Sequence, residues 1–173
     1  MKTSFASIKR QAGLTLIELI AALGIGALVM VGALALYNNA SSTQAATQLT
    51  SDLTAIKASV KQLFAGQGGY GAVSLNSTLI AANKIPTTMS VSGSTVTHQL
   101  NGTLTVAGNT ATFDTTITAI PTDICVSLVT GASGYTQIKV GANAARTTVP
   151  FSPTNAATDC SAAATQTLVL SST

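Results

Sequence analysis

From Leu14 to Tyr37 the chain is apolar with a single ionisable interruption, Glu18, and no charge follows between Leu19 and Tyr37. A run of this length is enough to cross a bilayer core, which takes ~20 apolar residues. An ionised carboxylate in hydrocarbon costs on the order of 3 kcal/mol on insertion scales. Glu18 therefore either has a partner or a task, or it is an interfacial side chain that reaches back to the headgroups.

Charge elsewhere narrows the choice. Only 8% of the 173 residues are charged, against the ~25% usual in soluble domains, while 46% are hydrophobic. The formal excess of +3 belongs to Lys2, Lys9 and Arg10, because beyond Gly13 five bases (Lys57, Lys61, Lys84, Lys139, Arg146) face five acids (Glu18, Asp52, Asp114, Asp123, Asp159). A neutral body has no basic patch for phosphates, so no direct nucleic-acid site is evident. Basic residues before an apolar run mark export, with the positive end left in the cytoplasm. A secretory signal cut within Tyr37–Ala45 would release a β-rich binding domain. That reading meets a run longer than the ~7–15 residues of a signal core, with a carboxylate inside it. A plain membrane anchor fits the length and leaves Gly13 and Glu18 without a purpose.

Lys9-Arg10-Gln11-Ala12-Gly13 followed by Leu14-Thr15-Leu16-Ile17-Glu18 resembles the leader junction of type IV prepilins: a basic leader ending in Gly, an apolar first mature residue, and Glu fifth in the mature chain. The resemblance implies cleavage between Gly13 and Leu14 by a prepilin peptidase, and N-methylation of Leu14. It also implies assembly of identical subunits into a helical filament by machinery in the inner membrane. Glu18 would then pair with the Leu14 amine of a subunit already in place, since two buried charges that cancel are tolerable where either alone is expensive. Localisation follows as inner membrane before assembly and extracellular pilus after it. The thirteen-residue leader, the leucine start and the lack of a proline in the apolar run look more like the type IVb class. A minor pilin or a type II secretion pseudopilin shares the same junction and stays open. The pilus task, whether adhesion, aggregation, DNA transfer or motility, has no sequence signature here.

The expected organisation is a leader over residues 1–13, a filament-core helix half over 14–37 and a globular domain over 38–173. Within the apolar half, Gly24, Gly26 and Gly32 allow close helix approach, with Ala22 and Gly26 as one small-x-x-x-small pair. From Leu49 a single stripe appears, with Leu53, Ile56, Val60 and Leu63 at spacings of four and three, which predicts an amphipathic helix face on a core. Gly66, Gly68 and Gly69 supply its stop. A helix from Leu14 to Ala65 would be roughly 75–80 Å long, with its apolar half protruding.

Turn pairs at Ser92-Gly93, Asn101-Gly102 and Gly108-Asn109 divide a Thr-rich region into strands near Thr87–Val91, Thr95–Leu100, Thr103–Val106 and Thr110–Ala119. Pro121-Thr122-Asp123 opens a short helix carrying Cys125, and later strands fall at Tyr135–Val140 and Thr165–Leu170. The fold class is α+β, an antiparallel sheet on the amphipathic half of the helix with a C-terminal disulfide-closed region. Cys125 and Cys160, the only cysteines, are most simply a disulfide in an exported chain. Type IV pilins carry a similar C-terminal pair, tying the last part of the domain to the sheet. The stretch Gly141–Asp159 between them is the expected exposed contact surface. One histidine, His98, and no G-x-S-x-G, H-E-x-x-H or P-loop leave no catalytic or metal constellation, so no enzyme activity and no cofactor is expected. Two glycosylation-like triplets, at Asn76 and Asn101, are assigned no role.

Overall fold

A computed structural model describes residues 15–173. The described chain divides at Ala40/Ser41 into two units that differ in what they bury. Helix α1 (Leu16–Leu63) runs through the boundary. Then follow α2 (Asn76–Ala81), β1 (Ser90–Ser92), β2 (Thr95–Thr97), β3 (Thr103–Asn109), β4 (Thr112–Pro121), α3 (Thr122–Gly131), β5 (Gln137–Val140), α4 (Pro153–Cys160) and β6 (Thr165–Ser172). The six strands form one antiparallel sheet in the order β1-β2-β3-β4-β6-β5, so the last strand inserts between β4 and β5.

In the second unit the expected stripe is the buried face of α1: Leu49, Ile56 and Val60 are wholly inaccessible and Leu53 nearly so. They join one core with the inward-facing Leu104 and Val106 of β3, Phe113 and Ile117 of β4, Ile138 of β5 and Leu168 of β6. Each such side chain taken out of water stabilises by ~1.5–3 kcal/mol before entropy is counted. Polar contacts fix where the connecting loops lie on the helix. Buried Asp52 accepts from Gln48 (3.0 Å) and from the Thr88 hydroxyl (2.8 Å), docking the loop before β1. Lys57 donates to the carbonyls of Ser133 (3.2 Å) and Gly134 (2.8 Å) and lies 4.3 Å from the centre of the Tyr135 ring. Desolvation, with Lys61 adding repulsion, lowers the Lys57 pKa, and burial pushes Tyr135 up to about 12.

A glycine signals either a turn or a close approach of backbone. The turn expected at Gly108-Asn109 falls two residues later, at Thr110-Ala111, and β3 runs on through Asn109. Gly108 is in the strand because the backbone of Tyr70 and Gly71 passes where its Cβ would be, and its N–H donates to Val73 O (2.9 Å). Asn76 joins the same edge. Its side-chain amide donates to Leu104 O (3.0 Å) and its oxygen accepts from Val106 N (2.7 Å), bridging the point where β2 ends and residues 73–75 take over as neighbour of β3. It is buried, which fits a structural splice and not a glycan acceptor.

His98 closes the β2–β3 turn. It is only 3% exposed, its Nε2 lies 2.9 Å from Thr118 O, and its Nδ1 accepts from Leu100 N at 3.3 Å. A Cβ on Gly102 would strike both Thr118 O and the ring, so the turn closes only with glycine there. A ring that donates at Nε2 and accepts at Nδ1 is neutral, and desolvation by burial lowers its pKa, against a smaller opposing effect of the Thr118 bond. The unfolded chain therefore takes the proton first, and stability present above pH ~6.5 is lost as pH falls below that value. Asp159 sits apart from this window: the Arg146 hydrogen bond holds its carboxyl below the usual range, so its contribution is lost only under more acid conditions. We expect the unfolding free energy of the detergent-solubilised chain, read from denaturant midpoints, to fall as pH drops below ~6.5, with a slope of at most ~1.4 kcal/mol per pH unit. His98→Gln should flatten that window, and an equal slope in the variant would assign it to another group.

Candidate functional site

The two features singled out in the sequence lie at opposite ends of the chain. At the amino end, the expected cut between Gly13 and Leu14 falls outside the described residues. Thr15 and Glu18 are described, and they form a reciprocal pair at the start of α1. The Thr15 N–H and hydroxyl both donate to Glu18 Oε2 at 3.3 Å, while Glu18 N–H donates to Thr15 Oγ1 at 3.3 Å. Leu19 N–H reaches Thr15 O at 3.1 Å, the first helical bond, so Thr15 is the N-cap. This is a capping box, in which cap and fourth residue satisfy each other's amides. Its signature, Thr-x-x-Glu, was present in the sequence, where a search for an ionic partner for Glu18 passes over it.

Beyond the cap, Leu16–Leu34 is the one described segment long and apolar enough to cross a membrane, with a mean hydropathy of 2.3. Leu16, Ile17, Leu23, Leu28 and Met30 are each at least two-thirds exposed. At Gly24, Gly26 and Gly32 an added Cβ would meet no atom within 4 Å, so nothing within the described residues of the subunit requires glycine there.

At the carboxyl end Cys125 and Cys160 are bonded, with Cα atoms 5.9 Å apart and neither sulfur-bearing residue exposed. The bridge joins α3 to the end of α4, so the tie is between two helices, and α4 leads by a short turn into β6. The enclosed Gly141–Asp159 stretch is more anchored than an exposed loop. Arg146 pairs with Ile138 as an isolated bridge and grips Asp159 through two bonds, Nε–Oδ2 at 2.5 Å and Nη2–Oδ1 at 2.9 Å. The same bond raises the Arg146 pKa. Phe151 is buried and donates its N–H to Val129 O (3.0 Å), and Pro153–Cys160 is helical, with the Ser152 side chain capping it. Exposed within the stretch are Ala142, Ala144, Ala145, Thr147, Thr148 and Pro150, followed by Ser152, Pro153, Thr154, Ala157 and Thr158 on and beside the helix. Among the described residues no three His, Cys, Asp or Glu side chains gather as metal ligands.

A capped helix half whose one charge is Glu18, followed by a half seated on an antiparallel sheet, with a late disulfide, is the architecture of a type IV pilin. Residues 8–34 match the family model described as the prokaryotic N-terminal methylation motif, and residues 43–173 match the one described as PilS N terminal. The second covers well over half of the chain, and the protein belongs to that family: it is a structural subunit of a type IV pilus, and such subunits assemble into filaments. The fold is similar to the crystal structure of TcpA, a type IV pilin from Vibrio cholerae El Tor biotype. The two share 16% identity over 75% of this chain and 99% of that one, with a TM-score of 0.53. Among curated proteins, none matches.

The disulfide is open to test. Both cysteines are inaccessible, so non-reducing mass spectrometry of the native chain should show one linked peptide pair and no alkylation. Cys125→Ser should destabilise by at most ~3–4 kcal/mol, the chain-entropy value for a loop of this size, read from denaturant midpoints. Free thiols in protein from sheared filaments would refute the bridge.

Proposed function

We propose that this chain is stored in the inner membrane through the apolar half of α1 and polymerised into a surface filament. Residues 1–13 act as a leader, a prepilin peptidase cuts between Gly13 and Leu14, and Leu14 becomes the N-methylated terminus. Residues 14–37 then form the filament core and 38–173 the outward domain. The observation that carries this reading is a coincidence of position: the methylation motif ends at residue 34, where the apolar segment Leu16–Leu34 also ends, and Glu18 is the only charge in that segment. Glycines at 24, 26 and 32 that nothing among the described residues needs support helix-to-helix packing between copies. The leader length, the leucine start and the proline-free run favour the type IVb class. The role is structural and not enzymatic, without a cofactor, in adhesion, aggregation or DNA transfer.

In the filament the Glu18 carboxylate neutralises the Leu14 amine of a neighbour, setting register through two charges that are each costly alone. Terminal sequencing or intact mass of filament subunits should give N-methyl-Leu14. A terminus near Ser41 would favour the freely secreted domain and refute this reading. Glu18→Ala should leave cleaved subunit in the membrane, because losing a charge eases insertion. Sheared-filament yield should collapse, with Glu18→Asp as control, because the neighbour's amine is left unpaired. Normal filaments from the Ala variant would remove the register mechanism.

A further inference from the structure

Resting on the reading of this chain as a filament subunit, we propose that the outer face of the sheet is a binding site for a neutral, linear polysaccharide. On the face turned away from the core, hydroxyls stand in register from strand to strand. Ser90 lies opposite Thr97 and Thr97 opposite Thr103. Thr103 meets Thr118 through its N–H (2.8 Å) and its hydroxyl (3.0 Å), and Thr167 of β6 follows beyond the bulge between Ile117 and Ile120. Thr105 and Thr116, paired across β3 and β4, begin a second rank. All of these residues are exposed or half-buried. Among the described residues the hydroxyls of Ser90, Thr97, Thr105, Thr116 and Thr167 make no hydrogen bond. By contrast, Thr47, Thr50, Thr54 and Thr130 on the helices each donate to the carbonyl four residues back.

Threonine is a common strand residue, but a face that only meets water mixes it with charges of both signs. From Ile85 to Phe113, a stretch that contains β1, β2 and β3, no residue is charged, His98 being neutral. The nearest charges flank the ranks: Lys139 opposite Val169, and Asp114 opposite Ala107 and Ser171. A polyanion needs bases to replace its counterions, and an acidic flank repels it. Asp114 itself makes no hydrogen bond or ion pair among the described residues, and its Oδ1 is buried without a donor. A carboxylate is a stronger acceptor for a sugar hydroxyl than any neutral group. The ranks cover four strand spacings, about 19 Å, by two residues, about 7 Å. That band is far smaller than the ~800 Å² each partner of a stable protein pair buries. A long, narrow, uncharged band, in which each Ser or Thr offers one donor and two lone pairs, suits an extended chain of sugar hydroxyls. No aromatic ring lies in the ranks, so each subunit binds weakly and repetition along the filament supplies the hold.

The experiment presents the full chain in two forms, as sheared filaments and as phosphatidylcholine vesicles carrying many copies. Each is sedimented with insoluble cellulose, chitin or mannan, and with carboxymethyl cellulose as the anionic counterpart; empty vesicles are the blank. Both forms should be retained by at least one neutral polymer. Thr97→Val, Thr105→Val and Thr116→Val combined should weaken retention at least about tenfold, since one lost hydrogen bond of ordinary strength gives about fivefold. Serine at the same three positions should keep it, as should Thr147→Val with Thr148→Val in the loop before α4. Valine suits a strand, so an unchanged denaturant midpoint is expected. Where the midpoint of the triple variant falls, Thr116→Val alone, with a loss of about fivefold, serves in its place. Vesicles retained by no neutral polymer, equal retention of the valine variants, or stronger retention on carboxymethyl cellulose would overturn the proposal. Vesicles that clump without any polymer, and cease to do so in the valine variants, would make the face a contact between copies and overturn it as well. Retained vesicles from a chain that yields no filaments would refute the filament reading alone and uphold the site.

Discussion

The apolar surface of the first half of α1 is the constraint on which everything else in this chain depends. Roughly a dozen leucine-, isoleucine-, valine- and methionine-sized side chains from Leu16 to Leu36 lie open along one segment. Each is worth ~1.5–3 kcal/mol if removed from water, so their sum far exceeds the cost of carrying one carboxylate with them. A chain built this way is stable in two surroundings, lipid or the packed helices of other copies. The membrane and the filament are alternatives for the same surface. That is why a single segment can serve both for storage and for assembly.

The second unit solves a different problem, which is to make a firm body from few charges. Its core is conventional, an amphipathic helix stripe against alternating strand residues, but its chain ends are secured by unlike devices. Asp52 and Lys57 fasten two loops to α1 through neutral partners, Asn76 mends the edge of β3, and His98 closes the next turn. The Cys125–Cys160 bridge and the Arg146–Asp159 pair act on neighbouring residues of α4, so the segment before β6 is held by a covalent bond and by an ion pair one residue away. Since β6 fills the gap between β4 and β5, the sheet is complete only when this last segment is in place.

Legibility in the sequence followed the range of the interaction. The long helix, its apolar half, the stripe from Leu49 to Val60, the helix bearing Cys125 and most strands were readable because periodicity and turn pairs are local. Elements fixed by distant contacts were not. Gly108 reads as a turn until the passage of Tyr70 and Gly71 beside it is known, and Asn76 reads as a surface triplet until β3 is placed. Helix α2 went unseen because its six residues carry no side-chain cap to announce it. Helix α4 had its Ser152-Pro153 start in plain view, inside a stretch whose Ala, Asn and Thr content suggested an exposed loop. At the amino end the missed feature was the most local of all. Thr15-x-x-Glu18 is a spacing rule, and it was obscured by treating Glu18 as a charge in search of an ion when its nearest donors are amide and hydroxyl.

That distinction bears on why a glutamate, and not simply any acid, suits this position. A side chain three residues beyond an N-cap must reach back about one helical turn to meet the cap's N–H, and glutamate and glutamine are the residues whose length allows it. Glutamine would close the box and bring no charge; aspartate would bring charge and fall short of the box. Glutamate alone does both. The capping function is satisfied inside the subunit with one carboxylate oxygen, so on the reading proposed above the charge would enter the membrane already hydrogen-bonded. On that same proposed reading, the cost of placing a carboxylate among leucines divides between two events, with the helix amides bearing part of it during storage and the opposing amine the remainder on assembly.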